Sequence, residues 1–370
     1  MKNLVKSASR FGSRRRLLLT APMLLSALAF GGLAKAQDPL KVAFVYVGPV
    51  SDAGWTHQHD LGRQAVEAEF GDRINVRTVD KVAEGPDSER VIRDLASQGY
   101  ELIFTTSFGF MDPTIKVARE FPAVRFEHAS GYKSSANVGN YNARFYEGRY
   151  LSGMAAGAVS KTNTLGYVAT LPIPEVIQGI NAFMLGARQT NPDSILKIIW
   201  INAWFDPGRE AEAANTLIDA GADVLTHHTG SSAVPRTAEA RKTWVVGYHS
   251  DMRAAAPSTH LVSVTHHWGH YYIERINAVL AGRWKSESVW GGMNQGFVRL
   301  QGLSEQVPAG LRARLVAAEQ ALKAGQRHPF TGPLQDNDGQ ARLPAGEQLS
   351  DAQIGQMNWF VNGVSGKVPR

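Results

Sequence analysis

The chain has 370 residues, 44% of them hydrophobic, enough for two domains with separate cores and too many apolar residues for a disordered protein. It contains no cysteine, which excludes disulfides, thiolate metal sites, thiol nucleophiles and a lipid-modified N-terminal cysteine. The formal charge of +6 comes from the first 36 residues: without their seven Lys and Arg, 32 basic face 33 acidic residues, a net charge of −1, and nucleic-acid binding loses its electrostatic motive.

Those 36 residues combine Lys2, Lys6, Arg10, Arg14, Arg15 and Arg16 with the apolar run 17–30 and a small-x-small Ala34-Lys35-Ala36. This predicts a secretory signal peptide cut after Ala36. The apolar run is short for a membrane span, which needs about 20 residues. Arg14-Arg15-Arg16-Leu17-Leu18 also suits twin-arginine export, and ordinary Sec export stays open beside it. An exported chain without anchor or span fits an enclosed periplasm.

Downstream, residues 41–70 run from the β-branched and aromatic Val42, Phe44, Tyr46 and Val47 through a Gly/Pro/Ser/Asp loop into a helix carrying Leu61, Ala65, Val66 and Ala68. Strands follow at 74–80, 102–106, 124–127 and 137–142, with helices at 88–98 and 112–120 and a Gly/Ala-rich helix after Gly148. The alternation restarts with strands at 165–169, 195–201, 224–226, 244–246 and 261–264 and helices near 174–189, 207–220, 233–241 and 269–280. Residues 284–292 read as turn-rich, 297–300 as a strand and 308–323 as a helix; the tail shows little periodicity. Two consecutive βα series predict an α/β protein with two parallel sheets, each covered on both faces. In such sheets ligands bind beyond the carboxyl ends of the strands, which is where the loop 50–55 lies.

No G-x-S-x-G elbow, H-E-x-x-H, Walker loop or G-x-G-x-x-G is present. Aromatic residues instead gather in strand-end loops: Trp55, Phe108, Phe110, Trp204 and Phe205. Singly each is ordinary loop packing; together they suit a slot for a flat ring, worth roughly 1–3 kcal/mol per stacked face. His57, His59, His227, His228, His249, His266, His267 and His270 lie near loop ends, and only His266 and His270 have ligand-like spacing, so hydrogen bonding by neutral imidazole outranks metal. Asp52, Glu175, Asp206 and Asp251 also follow strands; Asp206-Pro207 is a helix cap, and Gly230-Ser231-Ser232 is a weak phosphate-cradle candidate.

The stretches VGPVSDAGWTHQHDLGR, TTSFGFMDP, NYNARFYEGRYLSG, ATLPIPEVIQGINAF, WFDPGREAEAA, GADVLTHHTGSS and GYHSDM resemble the basic membrane protein family of ABC-transporter solute-binding proteins, the purine-nucleoside-receptor-like group. The resemblance spans nearly the whole chain after the leader. It implies a type I periplasmic binding protein: two Rossmann-like lobes joined at a hinge, 37–143 plus 267–292 and 144–266 plus 293–370, crossed near 143, 266 and 293. It also implies a base stacked between Trp55 and Trp204 or Phe205. Polar contacts come from loops matching Ser51, Asp52, Phe108, Gly109, Phe110, His228, Gly230, His249 and Asp251, with Glu175 and His267 nearby. Nucleoside-binding members carry an Asp where His249 stands and a Lys near His266 and His267, so a free purine base or related flat heterocycle is expected. The resemblance implies no cofactor, no metal and no nucleic acid, an inner-membrane ABC permease as partner, and a monomer. Rival expectations are nucleoside binding, an exported nucleoside hydrolase, a metal-binding protein and a sensor lobe.

Overall fold

The structure, a computed structural model, describes residues 38–369; the expected leader lies outside the described residues. Strand β1 (Leu40–Val45) is buried at every position but Lys41, as the apolar run dictates, and breaks at Gly48 and Pro49 before α1 (Trp55–Phe70). Then come β2 (Ile74–Val79), α2 (Pro86–Ser97), β3 (Leu102–Thr105), α3 (Met111–Glu120), β4 (Arg125–Ala129) and β5 (Val138–Ala143). The second series is α4 (Phe145–Val159), β6 (Thr164–Ala169), α5 (Pro174–Arg188), β7 (Ile195–Trp200), α6 (Pro207–Asp219), β8 (Val224–His227), α7 (Ala233–Ala240), β9 (Trp244–His249) and β10 (His260–His266). The chain closes with α8 (Gly269–Leu280), β11 (Ser288–Gly291), β12 (Val298–Gln301), α9 (Ala309–Lys323), β13 (Leu334–Gln335), β14 (Ala341–Leu343) and α10 (Asp351–Gly355).

Two six-stranded sheets result, ordered β11-β5-β4-β3-β1-β2 and β12-β10-β9-β8-β6-β7. The first is wholly parallel; in the second only β12 runs antiparallel, on β10. The strand order reverses at β1 in one sheet and at β6 in the other, so the loops after them sit at topological switch points. The chain passes between the sheets after β5, after β10 and after β11.

Three apolar clusters hold this arrangement. One packs α2 and α3 on the first sheet, through Ile92, Leu95 and Val117. Another packs α6 and α7 on the second, through Ala214, Leu217 and Val234. The largest runs through both halves and contains α4 and α5. Those two helices touch backbone to backbone: a Cβ on Gly153 would fall 2.0 Å from the Phe183 carbonyl oxygen, and one on Gly186 1.9 Å from that of Tyr150.

One expectation from the sequence is corrected, and one is extended. The turn-rich 284–292 contains β11, an edge strand of four residues whose Trp290 is only half-buried, too short and too one-sided to show periodicity. The tail is ordered: β13 and β14 pair, and Asn181 of α5 holds the last segment by donating to the Trp359 carbonyl (2.8 Å) and accepting from the Val361 amide (3.0 Å). Those bonds are made by a side chain 178 and 180 residues away, which no local pattern reveals.

Candidate functional site

The carboxyl ends of the two sheets face each other across a small cavity of about 40 Å³. From the first sheet it is lined by Val47, Gly48, Trp55 and Thr56 after β1, Ser107 and Phe108 after β3, and Ser130 after β4. From the second come Glu175 at the start of α5, Trp204 and Phe205 after β7, His228 and Gly230 after β8, and His249 at the end of β9.

The two indoles are fixed by hydrogen bonds from Nε1. Trp55 donates from Nε1 to the Thr106 carbonyl at 2.7 Å, and His59 and His249 meet its ring edge-on at 4.4 and 5.5 Å between centroids. Trp204 donates from Nε1 to Glu84 Oε1 at 3.0 Å. Two lining residues have positive φ without being glycine, Ser130 at 64° and His249 at 68°, a strained backbone that clusters at binding sites.

Glu175 is the one carboxyl on the lining. Its side chain is 10% exposed, Oε2 accepts from Asn142 Nδ2 at 3.0 Å, and Oε1 stands 3.9 Å from His228 Nε2, beyond hydrogen-bond range. Burial pushes its pKa from 4.5 up to about 7, against hydrogen bonds from Ser130 and Asn142 that favour the charged form. Burial also drives His59, His228, His249 and His266 well below the ordinary imidazole range, with neighbouring imidazoles and Arg149 adding to the fall for the last three. These rings are neutral at pH 7. His249 Nε2 lies 3.1 Å from the His228 carbonyl, which can only accept, so the proton is assigned to Nε2 and Nδ1 carries a lone pair. His228 Nδ1 is buried without a partner in the protein. Among the described residues no group of three His, Asp or Glu is arranged to hold a metal ion.

Eight of the sequence-selected residues therefore share one cavity: Trp55, Phe108, Glu175, Trp204, Phe205, His228, Gly230 and His249. Six stand off its lining. Ser51 Oγ donates to its own loop at Ala53, and exposed Asp52 pairs with Arg236 at 3.1 Å. Phe110 is fully buried in the core under the first sheet, because the 3-10 turn Phe108–Phe110 swings it inward. Gly109 packs on the Glu84 carboxyl, Asp251 pairs with Arg253 at 2.6 Å, and His267 lies in an adjoining groove with Asp52 and Asp251. The phosphate-cradle idea fails sterically: fully buried Glu210 fills the start of α7, accepting from Thr229 Oγ1 (2.8 Å) and Ser231 Oγ (2.5 Å). Sequence reasoning missed Val47, Gly48, Thr56, Ser107 and Ser130 on the lining; lying within a few residues of a strand's carboxyl end is the signal that could have found them.

The halves touch across the cleft. Gly54 N–H donates to Ser250 Oγ at 2.8 Å, Gln58 Nε2 donates to the His266 carbonyl, and a Cβ on Gly54 would fall 1.9 Å from the Gly230 carbonyl oxygen. Among the described residues no helix is long and apolar enough to cross a membrane.

Residues 40–321 match the protein-family model described as ABC transporter substrate-binding protein, PnrA-like. The chain is 48% identical over 340 residues to a purine-binding protein of Brucella abortus, covering 92% of this chain and 97% of that one. It is 36% identical to a putative ABC transporter glucose-binding protein of Haloferax volcanii, covering 92% and 84%. Among solved structures it resembles an ABC transporter solute-binding protein from Aeropyrum pernix, with a TM-score of 0.69 at 20% identity over 81% of this chain and 95% of that one. Another from Conexibacter woesei gives 0.64 at 21% identity over 78% and 98%. These neighbours carry the fold of type I periplasmic binding proteins, two hinged Rossmann-like lobes. The chain belongs to the PnrA-like family of ABC transporter substrate-binding proteins, which hold a small-molecule ligand for delivery to a permease and are not enzymes.

Proposed function

We propose that the chain captures a purine base, or a closely related flat heterocycle, in the periplasm and presents it to an inner-membrane ABC permease. The carrying observation is the cavity wall: Trp55 and Phe108 from one lobe and Trp204 and Phe205 from the other surround a space whose polar groups are few and buried. Stacking would supply affinity, and Glu175, His228 and His249 would discriminate, since a buried polar group left unmatched by the wrong ligand is penalised.

The name of the Brucella relative supports a purine, and that of the Haloferax relative raises a sugar. The lining favours the purine: among the described residues it carries four aromatic rings and, for the many hydroxyls of a monosaccharide, one carboxyl and no Asn, Gln, Arg or Lys. His249 and the His266-His267 pair, standing where nucleoside binders carry Asp and Lys, favour the base over the nucleoside.

On this reading the leader is removed after Ala36 and the protein works as a monomer. The lobes 37–143 plus 267–292 and 144–266 plus 293–370 close about the crossings near 143, 266 and 293, and the ligand shifts the population toward the closed form. The test is calorimetric titration of refolded, ligand-stripped protein with adenine, guanine, hypoxanthine, adenosine and glucose. A free base should bind most tightly, and Trp55→Ala should weaken it roughly 5- to 150-fold, the loss of one stacking face. Binding of glucose or adenosine in preference to every base would overturn the reading.

A further inference from the structure

We infer that Glu84 is a positioning residue that couples ligand capture to closure, by fixing the Trp204 indole of the opposite lobe against the ligand. The inference rests on the cavity being the ligand site. Glu84 lies on the loop between β2 and α2, half-buried and off the cavity lining, and nothing in its local sequence marks it.

Its Oε1 is a shared acceptor for three donors. Ser107 Oγ (2.6 Å) and the Gly109 amide (2.9 Å) come from the loop after β3, in the same lobe. They aim the carboxyl whether the cleft is open or shut. The third donor is Trp204 Nε1 at 3.0 Å, from the loop after β7 in the other lobe, and this bond exists only when the lobes meet. The fit also explains Gly109: a Cβ there would fall 2.2 to 2.5 Å from the Glu84 carboxyl atoms, so any side chain would displace the acceptor.

Other bonds across the cleft do not do this. Asp52 to Arg236 is an exposed rim pair, of the kind that contributes little. Gly54 to Ser250 joins two strand-end loops, Gln58 to His266 joins a helix to the hinge, and Asn142 to Glu175 joins β5 to the start of α5; none of them holds an aromatic wall. Among the described residues Glu84 is the one that grips a lining ring from the opposite lobe, and it does so with a carboxylate, which binds N–H donors about twice as strongly as a neutral acceptor. The Trp204 backbone is held inside its own lobe by Gly230 N–H at 2.8 Å, so the bond to Glu84 sets the ring's angle, not the loop's place.

The test is a double-mutant cycle read by calorimetry and by stopped-flow dissociation, with adenine, guanine, hypoxanthine and glucose as the probes. Glu84→Ala should weaken adenine binding roughly 10- to 100-fold, mainly through faster dissociation, as expected for a lost hydrogen bond to a charged group. Trp204→Phe, which keeps a ring and removes Nε1–H, should lose as much. The double variant should be no weaker than either single one, and Glu84→Gln, which retains a carbonyl acceptor, should recover part of the loss. Melting temperatures of the stripped variants should match the wild type. Wild-type affinity in Glu84→Ala, or losses that multiply in the double variant, would overturn the inference while leaving the ligand reading intact. If another base outranks adenine with the wild type the cycle is read on that base; if glucose gives heat and adenine, guanine and hypoxanthine do not, the purine reading falls and the cycle is read on glucose; heat with none of the four overturns both.

Discussion

Glu175 shows how one buried carboxyl can set a pH response. Its folded pKa of about 7 lies above the ordinary 4.5, because burial disfavours the charged form more than Ser130 and Asn142 can offset. The folded state therefore holds a proton that the unfolded chain releases, and stability falls as pH rises from about 4.5 through 7. The full shift corresponds to roughly 3 kcal/mol. Glu175→Gln should remove that slope: urea denaturation at pH 8 should find the variant of ligand-free protein more stable than the wild type, and at pH 5 the difference should be small. An unchanged slope would place the titration elsewhere. Glu175 was legible in the sequence, as an acid following a strand end. Asn142, which holds its Oε2, was not, because it sits inside β5 and its relevance depends on a contact 33 residues away.

At the scale of loops and strands, the cleft depends on two backbones that meet without side chains. Gly54 has φ 96° and its missing Cβ faces the Gly230 carbonyl, so Gly54→Ala meets both backbone strain and a 1.9 Å clash in the closed form. The variant should lose at least tens-fold in ligand affinity by calorimetry while its ligand-free melting temperature drops only a few degrees, a pattern of strain of about 1 kcal/mol in the loop plus blocked closure. The βα alternation was legible here because parallel strands buried on both faces read as apolar runs: β1, β3, β6 and β8 stood out for that reason. The edge strand β11 and the hairpin of β13 and β14 were not, being two to four residues long, and the partner of β11 is the distant β5. The same contrast divides the site. Aromatic loops announce themselves after strands, whereas Asp52 and Asp251, selected by the same rule, turn to the surface to pair with Arg236 and Arg253. Glu84 follows β2, an edge strand with a single buried residue, and carries no signal.

For the whole molecule, the buried histidines dominate the acid limb of stability. Burial pushes His59, His228, His249 and His266 well below the ordinary 6.5, and takes His128 and His227 to about 3. Arg149 adds to the field around the cleft: it is fully buried, has no carboxylate partner among the described residues, and lies 3.2 Å from the Tyr248 ring centroid. The unfolded chain takes up protons below pH 6.5 that the folded state refuses, so stability is full above 6.5 and is lost as pH falls. His128 and His227, held at about 3, refuse that proton from 6.5 down to about 3, and the other four act in the same direction against the single opposing slope of Glu175. Acid titration followed by circular dichroism should therefore show cooperative unfolding below pH 6.5. His128 separates this effect from ligand binding, because it sits at the end of β4 on Thr105 (3.0 Å), off the cavity lining. His128→Asn should move the acid midpoint to lower pH and leave ligand affinity at pH 7.5 unchanged; an unmoved midpoint would mean that carboxylates, not histidines, set the acid limit.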